Sequence, residues 1–260
     1  MTLIGRCLFA VAFLGFGVLQ ILYGDFVPGR PPAWPAQMSG GLIWAYVTGA
    51  CFIVAAVAIL VDRYRRGAAW VIAALILAWA VTRNLPLALA DPNFGGAWTR
   101  LGKAVALTGG AVAVAAAASR RRSAMLTIAG SVAFGAFLIA SGVQHFLFPN
   151  AVIALVPAWI PGARVWVYVA GVALIAGGAG LMVPRSSAIA GLATGLMLFT
   201  WVIILHIPRA LAAAAANQRN EWTAVFEALA FAAVALLLTK RRERRGSSPS
   251  PPSAAMAVTP

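Results

Sequence analysis

The sequence predicts an all-α membrane protein whose eight transmembrane helices form a parallel tandem repeat of two four-helix bundles. Three observations predict this fold. Charge is scarce, eight apolar runs are long enough to cross a bilayer, and the first half of the chain matches the second in order.

Composition sets the class. Of 260 residues, 62% are hydrophobic and 10% charged, and the mean hydropathy is +0.89. A soluble domain carries about a quarter charged residues, so this chain lacks the charge to cover a water-facing surface. Its net charge of +14 sits in short clusters between apolar runs: "DRYRRG" at 62–67, "SRRRS" at 119–123 and "KRRERR" at 240–245. That is the pattern of loops beside an anionic leaflet, and it argues against nucleic acid. The predicted partners are the lipid bilayer and, at the basic loops, anionic lipids. Cys7 and Cys51 lie in apolar runs without C-x-x-C or metal-type spacing, so they read as small packing residues. No phosphate-binding glycine loop, metal cluster or Ser/His/Asp order gives hydrolase or kinase chemistry a foothold.

A span needs about 20 mostly apolar residues to cross roughly 30 Å of hydrocarbon. The first, 3–23, has only Arg6 ahead of its apolar stretch. That stretch exceeds a signal-peptide core and no small-x-small cleavage site follows it, so it reads as a retained helix. The others are 41–61, 68–90, 101–118 (with Lys103 near its start), 124–148, 165–183, 188–212 and 222–239. Gly and Pro within them are compatible with membrane helices, and "GLATG" at 191–195 offers a face for close helix packing. Residues 240–260, basic and then Pro/Ser-rich, read as a disordered tail.

Orientation follows from Lys and Arg. Thirteen lie on the side of the two termini: Arg6, Arg63, Arg65, Arg66, Arg120–Arg122, Arg185, Lys240–Arg242, Arg244 and Arg245. Seven lie on the other: Arg30, Arg83, Arg100, Lys103, Arg164, Arg209 and Arg219. The positive-inside rule puts both termini in the cytoplasm of a multi-pass cell-membrane protein.

The repeat is visible without gaps. Residues 17–34, "GVLQILYGDFVPGRPPAW", align with 142–159, "GVQHFLFPNAVIALVPAW", with seven of 18 identical. Trp44, Tyr46 and Gly49 then match Trp166, Tyr168 and Gly171 at an offset of 122, as does Pro86 with Pro208, and Trp98-Thr99 matches Trp222-Thr223 at 124. The offset changes only in predicted outer loops, where insertions are expected. Four helices per unit return the chain to its starting side, so the units are parallel. The predicted organisation is a first repeat over 1–118, a basic linker at 119–123 and a second repeat over 124–239.

"GVQHFLFP" closing a first helix, "VPAWIP" in the following loop, "HIP" near the end of a third helix and "NEWT" opening a fourth resemble the DoxX/DoxD-like membrane proteins. The resemblance covers 124–239 well and 1–118 more loosely. It implies a four-helix bundle per unit and a link to redox processes, through subunits of thiosulfate:quinone oxidoreductase or anchors of oxidoreductase complexes. A quinone ligand and an oxidoreductase partner are what it suggests.

Candidate site residues come from depth. Counted from the cytoplasmic side, His145 is 21 residues into the fifth span and His206 18 into the seventh. At about 1.5 Å per residue both reach the outer boundary of the hydrocarbon. Gln144 adjoins His145, Arg209 follows His206 by three on the same helical face, and Glu227 lies five residues into the eighth span. "LHIPR" at 205–209 reads as a helix end that forms the edge of a polar pocket. Trp34, Trp98, Trp159, Trp166 and Trp222 read as an interfacial belt. An intramembrane carboxylate needs a partner, which Arg209, His206 or His145 supplies in one reading. Gln20, Asn84 and Lys103 occupy the matching places of the first repeat, so Lys103 and Glu227 pairing across the halves is the alternative. Three functions stay open: a quinone-interacting redox subunit, a small-solute transporter, and a scaffold holding soluble partners at basic loops.

Overall fold

A chain this apolar must satisfy its backbone N–H and C=O groups within each segment, which a helix does without a partner strand. The computed structural model describes residues 3–26, 39–118 and 124–239, which form helices and no strand. Eight helices are long and apolar enough to cross a membrane: α1 Leu3–Tyr23, α2 Gly41–Leu60, α3 Arg65–Ala90, α4 Gly95–Ala117, α5 Ala124–Leu147, α6 Ala163–Met182, α7 Ser187–Ala212 and α8 Ala215–Leu237. A short helix, Pro149–Ile153, follows α5. The basic linker at 119–123, the tail at 240–260, and Arg30 and Trp34 lie outside the described residues.

All eight expected spans are helices, but two begin six or seven residues earlier than expected. α4 starts at Gly95 rather than 101, and α8 at Ala215 rather than 222. Hydropathy registers only the turns that sit in hydrocarbon, while the polar first turns of α8 are tied down by ion pairs. Arg219 reaches Asp25 at 2.6 Å, and Glu221 reaches Arg209 at 2.9 Å. We call this face, which holds the α1–α2 and α3–α4 turns, distal, and the face where α1 begins and α8 ends proximal. On the proximal face Arg6 donates to the Leu60 carbonyl at 2.6 Å and pairs with Asp62 at 2.9 Å, capping the C-terminal end of α2.

Sequential neighbours pack along the chain, α1 on α2, α2 on α3, α3 on α4, and likewise α5 on α6, α6 on α7 and α7 on α8. The joins between halves are unexpected. α4 packs on α5, α8 packs on α1, and α4 also touches α8. The last helix of each half thus rests on the first helix of the other, and the eight close into one ring with α4 and α8 facing across its waist. The two sets of four interlock rather than stand as separate bundles. α8 is 78% buried over its span, against 28% for α7, which places α8 inside and α7 at the rim. Small residues permit this closeness: a Cβ on Gly110 would meet Val234, and one on Gly109 would meet Ala133 at 2.8 Å.

Corresponding geometry recurs in the two halves. α2 and α6 begin and end 122 residues apart, and each is preceded by a left-handed glycine, Gly40 at φ 87 and Gly162 at φ 68. A Cβ on Gly17 would lie 2.6 Å from the Gly49 carbonyl oxygen and 2.7 Å from Ile53 Cγ1. One on Gly142 would lie 2.6 Å from the Gly171 carbonyl oxygen and 2.7 Å from Ile175 Cγ1.

Candidate functional site

The site begins with two prolines. Pro86 and Pro208 lack an N–H, and their rings crowd the carbonyl four residues back, so an α-helix there must break or widen. Both helices widen. α3 makes a π turn over Ala80–Asn84, where Leu85 N–H bonds the Ala80 carbonyl, and α7 makes one over Val202–His206, where Ile207 N–H bonds the Val202 carbonyl. "LHIPR" therefore spans the close of the widened turn and the start of the short stretch that carries α7 to Ala212, where the expected span also ends. The extra residue in each turn rotates the remainder of its helix by about 100° relative to a regular one. Asn84 and His206 close the two turns at matching positions.

α4 and α8 carry the central pair. Lys103 Nζ donates to Glu227 Oε2 at 2.7 Å, joining the two halves of the chain where α4 faces α8. Glu227 is buried, 2% exposed, and sits mid-helix, 12 residues from the start of α8, or about 18 Å along it at the helical rise. Of the two readings of its partner, the structure forms the cross-half pair. A salt bridge this deep would cost more than it returns unless other polar groups completed its hydrogen bonds.

Those completions are partial. Among the described residues, Glu227 Oε1, His206 Nδ1 and both amide atoms of Asn84 are buried without a hydrogen-bond partner. His206 lies within electrostatic reach of Glu227, Lys103, Arg209 and Glu221. The two π turns, one packed on α4 and one on α8, set His206 within reach of the central ion pair and Asn84 at the matching place against α4. The result is a polar layer within the distal half of an otherwise apolar ring.

The expected site residues divide. His206 and Glu227 belong to this layer. Arg209 lies nearby but is committed, its Nη2 and Nε donating to Glu221 at 2.9 and 3.2 Å and its Nη1 to the Leu155 carbonyl at 3.0 Å. Gln144 donates to Thr99 Oγ1 at 2.8 Å, tying α5 to α4. His145 Nδ1–H donates to the Ser141 carbonyl one turn back at 2.8 Å, and its Cβ packs where a Cβ on Gly171 would stand. No described contact joins it to His206. Gln20, its counterpart, is fully buried and donates to the Ala45 carbonyl and Thr48 Oγ1 at 3.1 and 2.7 Å. Of the expected interfacial belt, Trp98, Trp159 and Trp166 are exposed, whereas Trp222 is partly buried and packs against Phe226.

Lys103 and Asn84 were legible only as counterparts of the second-half residues, and their place in the layer follows from the π turns and the interlock. Among the described residues no group of three or more His, Cys, Asp or Glu is arranged to hold a metal. Chemically, the layer offers a half-buried ammonium and imidazole beside a buried carboxylate oxygen and a buried amide. It suits a small group that both accepts and donates hydrogen bonds.

A family model described as a domain of unknown function (DUF8561) matches residues 134–236, which run from within α5 to nearly the end of α8. No curated protein and no solved structure matches the chain.

Proposed function

We propose that this chain is a quinone-binding membrane subunit of a redox system, with the polar layer of Asn84, Lys103, Glu227 and His206 receiving the quinone headgroup. The observation that carries the reading is the pair of partnerless buried atoms, His206 Nδ1 and Glu227 Oε1, beside the Lys103 ammonium. A protonated His206 Nδ1 donates to a quinone carbonyl, and the free carboxylate oxygen accepts from the hydroxyl of the reduced form. Lys103, rather than the committed Arg209, supplies the positive charge that polarises the carbonyl. Two-electron chemistry belongs to the quinone itself, and the residues' part is to hold its head in a dry site.

The finer frame of the reading is a parallel duplication of a DoxX/DoxD-like unit in the cell membrane, with both termini cytoplasmic. The recurring glycine contacts and π turns support it. An oxidoreductase partner would dock at the basic loops, Arg120–Arg122 among them. The test is mass spectrometry of lipids extracted from purified protein. Quinone retained by wild type and lost in His206→Ala is the expected result; no quinone above the level of an unrelated membrane protein overturns the reading.

A second reading, transport of a small solute, has the ion pair on the seam between halves in its favour, because intramembrane charges often mark solute pathways. Uptake into proteoliposomes that Glu227→Gln abolishes would establish it.

A further inference from the structure

The two halves diverge at one place in their helix packing. Between α6 and α7 lies a cleft of about 270 Å³, lined by Ala173, Ala176, Gly177, Ala190, Ala193, Thr194 and Met197. The matching positions of α2 and α3, 122 residues earlier, hold Cys51, Val54, Ala55, Ala68, Val71, Ile72 and Leu75. Cys51, Val54, Ala55, Val71 and Ile72 are each larger than their second-half counterparts, Ala68 equals Ala190, and Ile72 is fully buried there. The helix bounds coincide at the same offset, so the cleft comes from trimmed side chains rather than from a different backbone. Gly177 completes it by letting the Thr194 hydroxyl rest against its Cα.

Three properties narrow the occupant. The cleft is smaller than the roughly 300–1,000 Å³ of sites that enclose a whole ligand, so it takes part of one. Its walls are almost wholly apolar, and Ala176 and Ala193 at its rim are exposed on the outer surface of the ring, so it opens toward lipid. It also lies in the half that carries His206 and Glu227, on the helix that carries His206. Met197 precedes His206 by nine residues, about 14 Å along the axis.

We infer that the cleft seats the prenyl tail of the molecule whose head lies in the polar layer, an assignment that rests on the quinone reading of that layer. A tail in a bilayer is already among hydrocarbon, so the cleft gains no hydrophobic transfer energy. Its contribution is dispersion contact with fixed walls in place of mobile chains. Selectivity for tailed ligands should accordingly be modest, about three- to tenfold.

The test compares two probes on protein in lipid nanodiscs: a benzoquinone bearing three isoprene units, and the same ring with a methyl group instead of the tail. The variant Ala193→Val/Thr194→Ile installs the residues that the first half already carries. The expected result is that wild type prefers the tailed probe by three- to tenfold, and that the variant loses the preference while binding the methyl ring as before. Ala176→Val, at the exposed rim, is the second variant should the first fail to fold, and is expected to lower the preference in the same direction. Preference unchanged in the folded variants overturns the tail seat and leaves the headgroup site standing. Failure of wild type to bind either ring overturns both.

Discussion

Lys103 and Glu227, 124 positions apart, meet at 2.7 Å where α4 faces α8, and neither half of the chain contains the pair by itself. Removing one partner leaves a buried charge, which costs about 3–5 kcal/mol, whereas replacing both with apolar residues is often close to neutral. Lys103→Met and Glu227→Leu should each lower thermal stability sharply in detergent, and the double variant should recover most of the loss. The double variant should still fail to retain quinone. Full stability in either single variant would mean that the pair contributes nothing to the interlock.

The π turn of α7 is the second lever. Pro208→Ala removes a residue that costs about 3 kcal/mol in a helix interior and allows a regular α-helix. Stability should be unchanged or higher, while His206 is rotated out of the layer and quinone retention is lost. A variant that keeps its quinone would show that Pro208 does not set the direction of His206.

Glycine contacts test the likeness of the halves. Gly17→Ala and Gly142→Ala each place a Cβ 2.6 Å from a carbonyl oxygen of the neighbouring helix, an overpacking of the kind that costs about 1–3 kcal/mol. Because the contacts match, the two losses should match as well. Thermal unfolding that finds one substitution costly and the other silent would contradict this equivalence.

Arg209 separates support from binding. Its guanidinium holds Glu221 and the Leu155 carbonyl, a geometry that lysine does not reproduce. Arg209→Lys should lower stability by about 1 kcal/mol, the worth of a charge-assisted pair with part exposure. Quinone retention should be unaffected, and its loss in a folded Arg209→Lys would return Arg209 to the binding site.

Much of this was legible from residues alone. Apolar runs located all eight spans, because helices in hydrocarbon declare themselves by length and hydropathy. The matching of Gln20, Asn84 and Lys103 with His145, His206 and Glu227 marked the levels at which polar groups occur. What stayed hidden depends on which helix faces which. Lys103–Glu227 was one pairing among several, since the apolar faces of α1 and α8 do not encode their choice of neighbour. The π turn before Pro208 was not legible, because a proline alone does not distinguish a frayed end from a widened helix that resumes. His145 and His206 share a depth, but depth says nothing of azimuth, and His145 turns back onto Ser141.

The ring has a consequence in time. α1 leaves the ribosome well before α8, yet they are neighbours, with Gly15 and Phe16 of α1 packed on Phe226 of α8. Seven helices must be inserted before the first acquires one of its two flanking partners. A nascent chain that stops short of α8 leaves α1 open along that flank and Lys103 without its counter-ion. The arrival of α8 therefore closes a seam that α1 and α4 leave open until then.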